Sequence, residues 1–400
     1  MIGSDRSDSA LLQNLREQGI EIHLMQDGSA VPPECDLFVY SEAIPADAPE
    51  RKLADERGIP QQSYFKALGE LSAGSRVIAV SGTHGKSSTT AMTARMLILA
   101  GKDPTVVVGT KVPDLEGKNW RTGTSDIFLL EACEYRRSFH YLTPSIVLLT
   151  NADGDHFDAY ASIADYQQAF VEFLRRLPED GVVITHMGDP DCRKIVEASG
   201  RRAIDADSFP LPTLQTPGLH MRQNAQLSLA LASVLEIPQE EAIKHLSGFA
   251  GTWRRMEVKG TRSDGVTVVD DYAHHPKEIR ASLQAMREAY PSRRFVVAFQ
   301  PHTHDRTIKL YDEFLGAFEV ADVVVIPDIY VARNDIEHEL VDVPKLVSDI
   351  AAGSHVEAYD GTSMEETERL LREKILQKDD VLICMGAGDI TKLADLMIRS

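Results

Sequence analysis

Residues 79–92, "AVSGTHGKSSTTAM", set two glycines, a lysine and a run of hydroxyls directly behind an apolar run. "RVIAV" reads as a strand, "SGTHGKS" as a loop and "SSTTAMTARMLILAG" as a helix closed by Gly101. Backbone N–H groups at such a loop and helix start point outward, and the helix dipole adds positive potential, so the turn favours an anion. Lys86 adds a full charge and Ser87 a hydroxyl suited to Mg²⁺, the chemistry of a phosphate-binding loop. The longer consensus has glycine five residues before Gly85; here that position is Val80, so the match is to the short GxxGKS form. Gly82, Thr83, His84, Gly85, Lys86, Ser87 and Ser88 are therefore nucleotide-binding candidates, with Lys86 also a catalytic one.

Apolar runs of strand length alternate with helix-length amphipathic stretches along the chain, the pattern of parallel sheets covered by helices. In such sheets the ligand crevice lies at the carboxyl ends of the strands. "DIFLLE" delivers Glu131 to that edge, followed by Glu134, and "SIVLLT" delivers Asn151, Asp155 and His156. Magnesium takes oxygen ligands and keeps waters, so Ser87 and Glu131 suit one ion bridging phosphates, and His156 a second. Toward the carboxyl terminus, "DDYAHHPKE" (270–278), "QPHTHDRT" (300–307), "DIYVARND" (328–335) and "GAGD" (386–389) fall at four further strand ends. They group charged and imidazole side chains at one edge, with His274, His275, His302 and His304 open to either a site role or quiet packing in turns.

The 400 residues suffice for two to four domains, and 43% hydrophobic with 26% charged content is ordinary for a soluble globular protein. A net charge of -19 argues against a nucleic-acid partner and leaves any anionic ligand to local groups. Cys35, Cys133, Cys192 and Cys384 show no zinc spacing and read as core or near-core thiols of a reducing compartment. The amino terminus lacks the features of a signal peptide and no apolar run approaches a membrane span, so a cytoplasmic protein is expected.

The ordered motifs "GTHGKSSTTAM", "EACE", "TNADGDHFD", "FAGTWRRMEVKG", "DDYAHHPKEI", "FQPHTHDRT" and "GAGDI" resemble the Mur ligase family over nearly the full chain. The resemblance implies an α/β protein of three domains. These are a shortened amino-terminal α/β domain (1–74) for a UDP sugar, a central P-loop ATPase with a mostly parallel sheet (75–255) and a Rossmann-like amino-acid domain (256–400). "DDYAHHP" with "FQPH" favours the alanine-adding branch: ATP and Mg²⁺ would activate the carboxylate of UDP-N-acetylmuramate as an acyl phosphate, which the amine of L-alanine attacks. A monomer or homodimer is implied, in the service of peptidoglycan precursor synthesis. The resemblance also carries Asn224, Arg254, Arg255 and Asp270 to nucleotide contact. It places His275, His302 and Arg306 near the entering amino acid or the acyl phosphate, so that Lys86, His156, His275 and Arg306 are the catalytic set and Tyr272, His274 and His302 contact substrate.

Four departures stand out. Family members begin with a further strand and glycine-rich loop for the UDP diphosphate, whereas this sequence starts at "MIGSD". Thr303 replaces the arginine frequent after "FQPH", and His220–Met221 replaces the "HN" frequent before Asn224. No lysine lies between His156 and Lys194 to serve as the carbamylated lysine of some sibling ligases. Two alternatives stay open: a sibling ligase with another amino acid or peptide substrate, and a nucleotide-binding regulator that has lost sugar turnover.

Overall fold

A computed structural model describes residues 1–154, 159–331 and 340–399. The chain divides into two compact units, 1–75 with 137–143, and 76–136 with 144–400.

The first unit carries two parallel strand pairs, β1 (Ile2–Ser4) with β2 (Glu21–His23) and β3 (Phe38–Tyr40) with β4 (Gln61–Ser63). Its helix starts are fixed locally. The Ser9 and Ser63 side chains accept backbone N–H bonds from Leu12 and Lys66, which caps the helices Ala10–Glu17 and Tyr64–Leu71. A small core of Val31, Ala54 and Ile59 closes it.

Among its described residues, the second unit holds two sheets. The first runs β11-β10-β9-β5-β8-β6-β7. It comprises β5 (Arg76–Ser81), β6 (Thr105–Val112), β7 (Lys118–Arg121), β8 (Ile127–Glu131), β9 (Ile146–Leu149), β10 (Val182–Thr185) and β11 (Arg202–Asp205). All pairs are parallel except β6 with β7. β5 reads "RVIAVS" and Val77, Ile78, Ala79 and Val80 are all buried, because helices cover both faces of a central parallel strand. Strand order reverses at β5, which lies between β9 and β8, so the loop after β5 opens into the crevice at this switch point. The helix Lys86–Leu99 that follows packs against the helix Leu219–Val234, with Thr93 and Ser228 hydroxyls 2.8 Å apart.

The second sheet runs β12-β13-β17-β14-β15-β16. Its strands are β12 (Glu257–Thr261), β13 (Thr267–Asp271), β14 (Phe295–Phe299), β15 (Val323–Pro327), β16 (Glu357–Thr362) and β17 (Val381–Met385), parallel apart from β12 on the edge. β12 lies at the end of the "FAGTWRRMEVKG" motif, and β6, β7 and β11 are strands the sequence reading does not name. Of the cysteines, Cys192 and Cys384 are buried while Cys35 and Cys133 are half-buried, and all four are free.

Candidate active site

The phosphate loop is shaped by two glycines and held by its neighbour strand. Gly82 has φ +139°, and a Cβ there would lie 2.0 Å from the Thr150 hydroxyl and 2.8 Å from the Asn151 carbonyl oxygen. Gly85, the N-cap of the following helix, has φ +81°, and its Cβ would lie 2.7 Å from Asn224 Oδ1. Neither position admits a side chain. Thr150 and Asn151, just past β9, clamp the loop: the Thr150 hydroxyl donates to the His84 carbonyl at 2.6 Å, and the His84 N–H donates to Asn151 Oδ1 at 2.9 Å. The Thr83 hydroxyl meets the Tyr166 hydroxyl at 2.8 Å. The loop is therefore rigid before any ligand arrives, and the first N–H groups of the helix, which have no intrahelical acceptor, form its floor.

Lys86 Nζ donates to the carbonyl oxygens of Gly82 and Thr83 and to the carboxylate of Glu134, the last at 3.0 Å. Burial alone would lower the Lys86 pKa, but the charge of Glu134 outweighs it and holds the ammonium protonated, above its ordinary range. The Ser87 hydroxyl donates to Glu131 Oε2 at 2.9 Å, and the Gly109 N–H, on β6, donates to the same oxygen at 2.8 Å. Sequence spacing names Ser87 and Glu131; the fold brings them into contact. Two hard oxygens side by side, beneath a loop that favours phosphates, fit Mg²⁺, which would complete its shell with water and phosphate oxygens. Among the described residues, no group of three or more His, Cys, Asp or Glu side chains forms a metal cage. Asp155 and His156 lie outside the described residues, as do residues 332–335 of the "DIYVARND" stretch.

Beside the loop lies a cavity of about 220 Å³, lined among others by His84, Asn224, Arg255, Asp271, Lys277 and Glu278. Asn224 is buried, on the helix Leu219–Val234, facing Gly85. The cavity borders Gly85 of the loop and combines apolar walls with a few polar groups, a lining suited to the nucleoside end of a loop-bound nucleotide. Burial pushes the Asp271 carboxyl up to about 6 against the lowering effect of Arg255. Burial also pushes His220, at the start of the same helix as Asn224, down to about 4, with Arg255 acting the same way.

The histidine-rich strand ends do gather, though not all in one way. His275 is buried at the N-cap of the helix Pro276–Ala289, where its Nδ1 accepts the Lys277 N–H at 3.2 Å and its ring packs on His84, centroids 4.8 Å apart. His274 lies 6.0 Å from His302 ring to ring, and its Nδ1 approaches the Tyr272 carbonyl at 3.0 Å. His302 Nδ1 is 3.5 Å from an Arg306 guanidinium nitrogen, and the His302 ring stacks on Tyr330. His304 is turned elsewhere, its Nδ1 accepting the Val341 N–H. Arg254 and Asp270 face each other at 3.2 Å inside the carboxyl-terminal sheet; Arg254 also donates to the Gly386 and Gly388 carbonyls, and Asp270 accepts from Thr391. Both are buried, and this pair clasps the "GAGD" turn to β13.

Three contacts at the site are ones the sequence does not signal. Glu278 Oε1 sits 3.2 Å from His84 Nδ1, joining the phosphate loop to the helix of the "HHPKE" stretch. Lys277 pairs with Asp153 across the same gap. Glu134, weighed without a role, is the buried partner of Lys86. The spacing from His275 to Glu278 is that of a capping box and signals the helix start; nothing in it signals His84.

Family models match the chain in three consecutive segments: "Mur ligase family, catalytic domain" over 1–76, "Mur ligase middle domain" over 80–210 and "Mur ligase, glutamate ligase domain" over 254–388. The chain belongs to the Mur ligase family. As a Mur ligase it is an ATP-dependent enzyme that forms an amide bond, on a three-domain α/β fold. It is similar to the UDP-N-acetylmuramate–L-alanine ligase of Clostridium novyi, 36% identical over 426 residues that cover 100% of this chain and 92% of that protein. A solved UDP-N-acetylmuramate–alanine ligase from Thermotoga maritima superposes with TM-score 0.81 at 26% identity, covering 100% of this chain and 92% of that one. A murein peptide ligase from Psychrobacter arcticus shares the fold, with TM-score 0.72 at 20% identity over 100% of this chain and 92% of that one. In this Mur ligase the phosphate loop falls in the middle-domain segment and the histidine cluster in the third segment.

Proposed function

We propose that this Mur ligase joins L-alanine to the carboxylate of UDP-N-acetylmuramate, consuming ATP with Mg²⁺ in the assembly of a peptidoglycan precursor. The observation that carries the reading is the whole-length likeness, 36% identical over all of this chain, to a relative of that name. The phosphate-loop geometry supports it. Bound ATP with Mg²⁺ supplies the phosphoryl group that activates the sugar carboxylate, from which the amine of alanine displaces phosphate.

The protein's own groups have distinct parts in this. Lys86, held charged by Glu134, offsets negative charge on the transferring phosphoryl oxygens. Ser87 and Glu131 would hold the Mg²⁺, which would offset charge on the phosphates. Asn224 and the adjoining cavity receive the nucleoside part, while His274, His302 and Arg306 face the amino acid. The buried position of His275 supports a role in holding the His84 ring rather than in touching substrate. Arg254 and Asp270 act on the nucleotide through the shape of the linker, since their charges meet each other. The proposed setting is the cytoplasm; among the described residues no helix is long and apolar enough to cross a membrane.

Phosphate release from ATP, measured with and without UDP-N-acetylmuramate and with each candidate amino acid, tests the reading. Release that needs both the sugar nucleotide and L-alanine is the expected result. Release with glycine or serine but not alanine points to a sibling ligase, and binding of ATP with no co-substrate dependence points to a regulator.

A further inference from the structure

Glu278 is a single carboxylate that touches three segments at once. Its Oε1 lies 3.2 Å from Nδ1 of His84 in the phosphate loop and 3.4 Å from a guanidinium nitrogen of Arg255 in the linker. Its Oε2 lies 3.4 Å from Nδ1 of His274 and accepts the backbone N–H groups of His274 and His275 at 3.2 and 3.4 Å. Capping the helix Pro276–Ala289 requires only the second oxygen. The first oxygen makes no cap bond and points instead to groups more than twenty residues away in sequence.

The side chain is 10% exposed, so its charge is little screened by solvent. Burial would raise its pKa, yet His84, His274 and Arg255 together hold the carboxyl well below the usual range. From His274 the contacts continue to His302, 6.0 Å ring to ring, and from His302 to Arg306 at 3.5 Å. A run of polar and ring contacts thus joins the phosphate loop to the histidine-bearing strand ends.

We propose that Glu278 is a positioning residue that couples the phosphate loop to the amino-acid end of the carboxyl-terminal domain, through His84 on one side and His274 on the other. The inference rests on the proposed function for what those two ends bind. The physical basis is competition for charge. An anion on the loop draws on the His84 ring, which weakens its hold on Oε1 and lets the carboxylate bear more strongly on Arg255 and His274. Glu278 touches no reacting atom; it acts by where it holds the histidines.

Glu278→Gln keeps an acceptor for the cap while removing the charge. Binding of a non-hydrolysable ATP analogue with Mg²⁺ is measured by calorimetry for the native protein, Glu278→Gln, His84→Asn and the double variant. Amide exchange over residues 272–306 is followed with and without the analogue. Each single variant is expected to bind about three- to tenfold more weakly, with the double variant no weaker than the worse single one, because the two share one interaction. The analogue is expected to protect amides at 272–280 in the native protein and to lose that effect in Glu278→Gln.

Single-variant losses that multiply in the double variant, or an unchanged exchange response in Glu278→Gln, overturn the inference. If Glu278→Gln does not fold, His84→Asn breaks the same link from the other side, and an undiminished exchange response in it overturns the proposal equally. A native protein that binds the analogue but turns over no alanine defeats the substrate reading alone. One that binds no analogue defeats both.

Discussion

Lys86 and Glu134 form an ion pair at 3.0 Å beneath the phosphate loop, the glutamate side chain fully buried and the lysine side chain 13% exposed. This pairing gives the lysine two tasks that a substitution separates. Lys86→Ala is expected to slow turnover by about 10²-fold or more, through lost charge at the transferring phosphoryl group. It also removes the cation that faces the buried Glu134 carboxylate, at a cost of about 3 kcal/mol in stability. Phosphate-release assays read the first effect and urea unfolding the second; native turnover in a folded Lys86→Ala protein would falsify the assigned role.

Glu131→Ala removes the shared acceptor of Ser87 and the Gly109 N–H. The expected outcome is a magnesium titration shifted to higher concentration by about 10-fold or more, since losing a partner of a metal site costs on that order. An unshifted titration curve takes Glu131 out of the metal shell.

At Gly82 a methyl group would meet the Thr150 hydroxyl at 2.0 Å, and the residue sits at φ +139°. Gly82→Ala is therefore expected to destabilise the protein by about 1–3 kcal/mol and to lower nucleotide affinity, because the loop must shift to relieve both strains. Melting temperature and analogue binding should fall together. A variant with native values for both would show that the loop does not depend on this glycine.

Two buried groups by the nucleotide cavity predict opposing pH slopes. The Asp271 carboxyl is pushed from 3.8 up to about 6 by burial, so the folded state binds the extra proton and stability falls as pH rises between those values. His220 is pushed from 6.5 down to about 4, so the unfolded state binds the proton and stability rises with pH over nearly the same window. Asp271→Asn should remove the first slope and leave stability climbing more steeply from pH 4 to 6.5, by on the order of 2 kcal/mol at the top of the range. Urea midpoints across that range check it; parallel curves for native and variant proteins would refute the burial of a charged Asp271.

The strand, turn and helix around residues 82–88 were legible because their signal is local. Residues 76–101 encode strand, turn and helix in one stretch, and the glycines mark positions where the turn leaves no room for Cβ. Glu131, Asn151 and the strand-end histidines followed from one assumption, that parallel strands end on one edge, and the sheet orders agree with it. β12 was hidden because an edge strand, paired on one side, has a weaker apolar pattern: "EVKGT" is half-buried or exposed throughout. β6 carries the β-branched run "TVVV" and could have been read; β7, four half-buried residues, could not.

Residue chemistry close along the chain, a lysine and hydroxyl after a glycine turn or a histidine three residues before a glutamate, is fixed by backbone geometry and reads out from the sequence alone. Which acid meets which base is fixed elsewhere. β5 lies between β8 and β9, and that order, which no local pattern encodes, sets Glu131 on Ser87 and Glu134 on Lys86. Packing of the helix Pro276–Ala289 against the loop sets Glu278 on His84. Such pairs form between groups dozens to hundreds of residues apart, where only the folded arrangement of strands and helices decides which buried charges are neighbours.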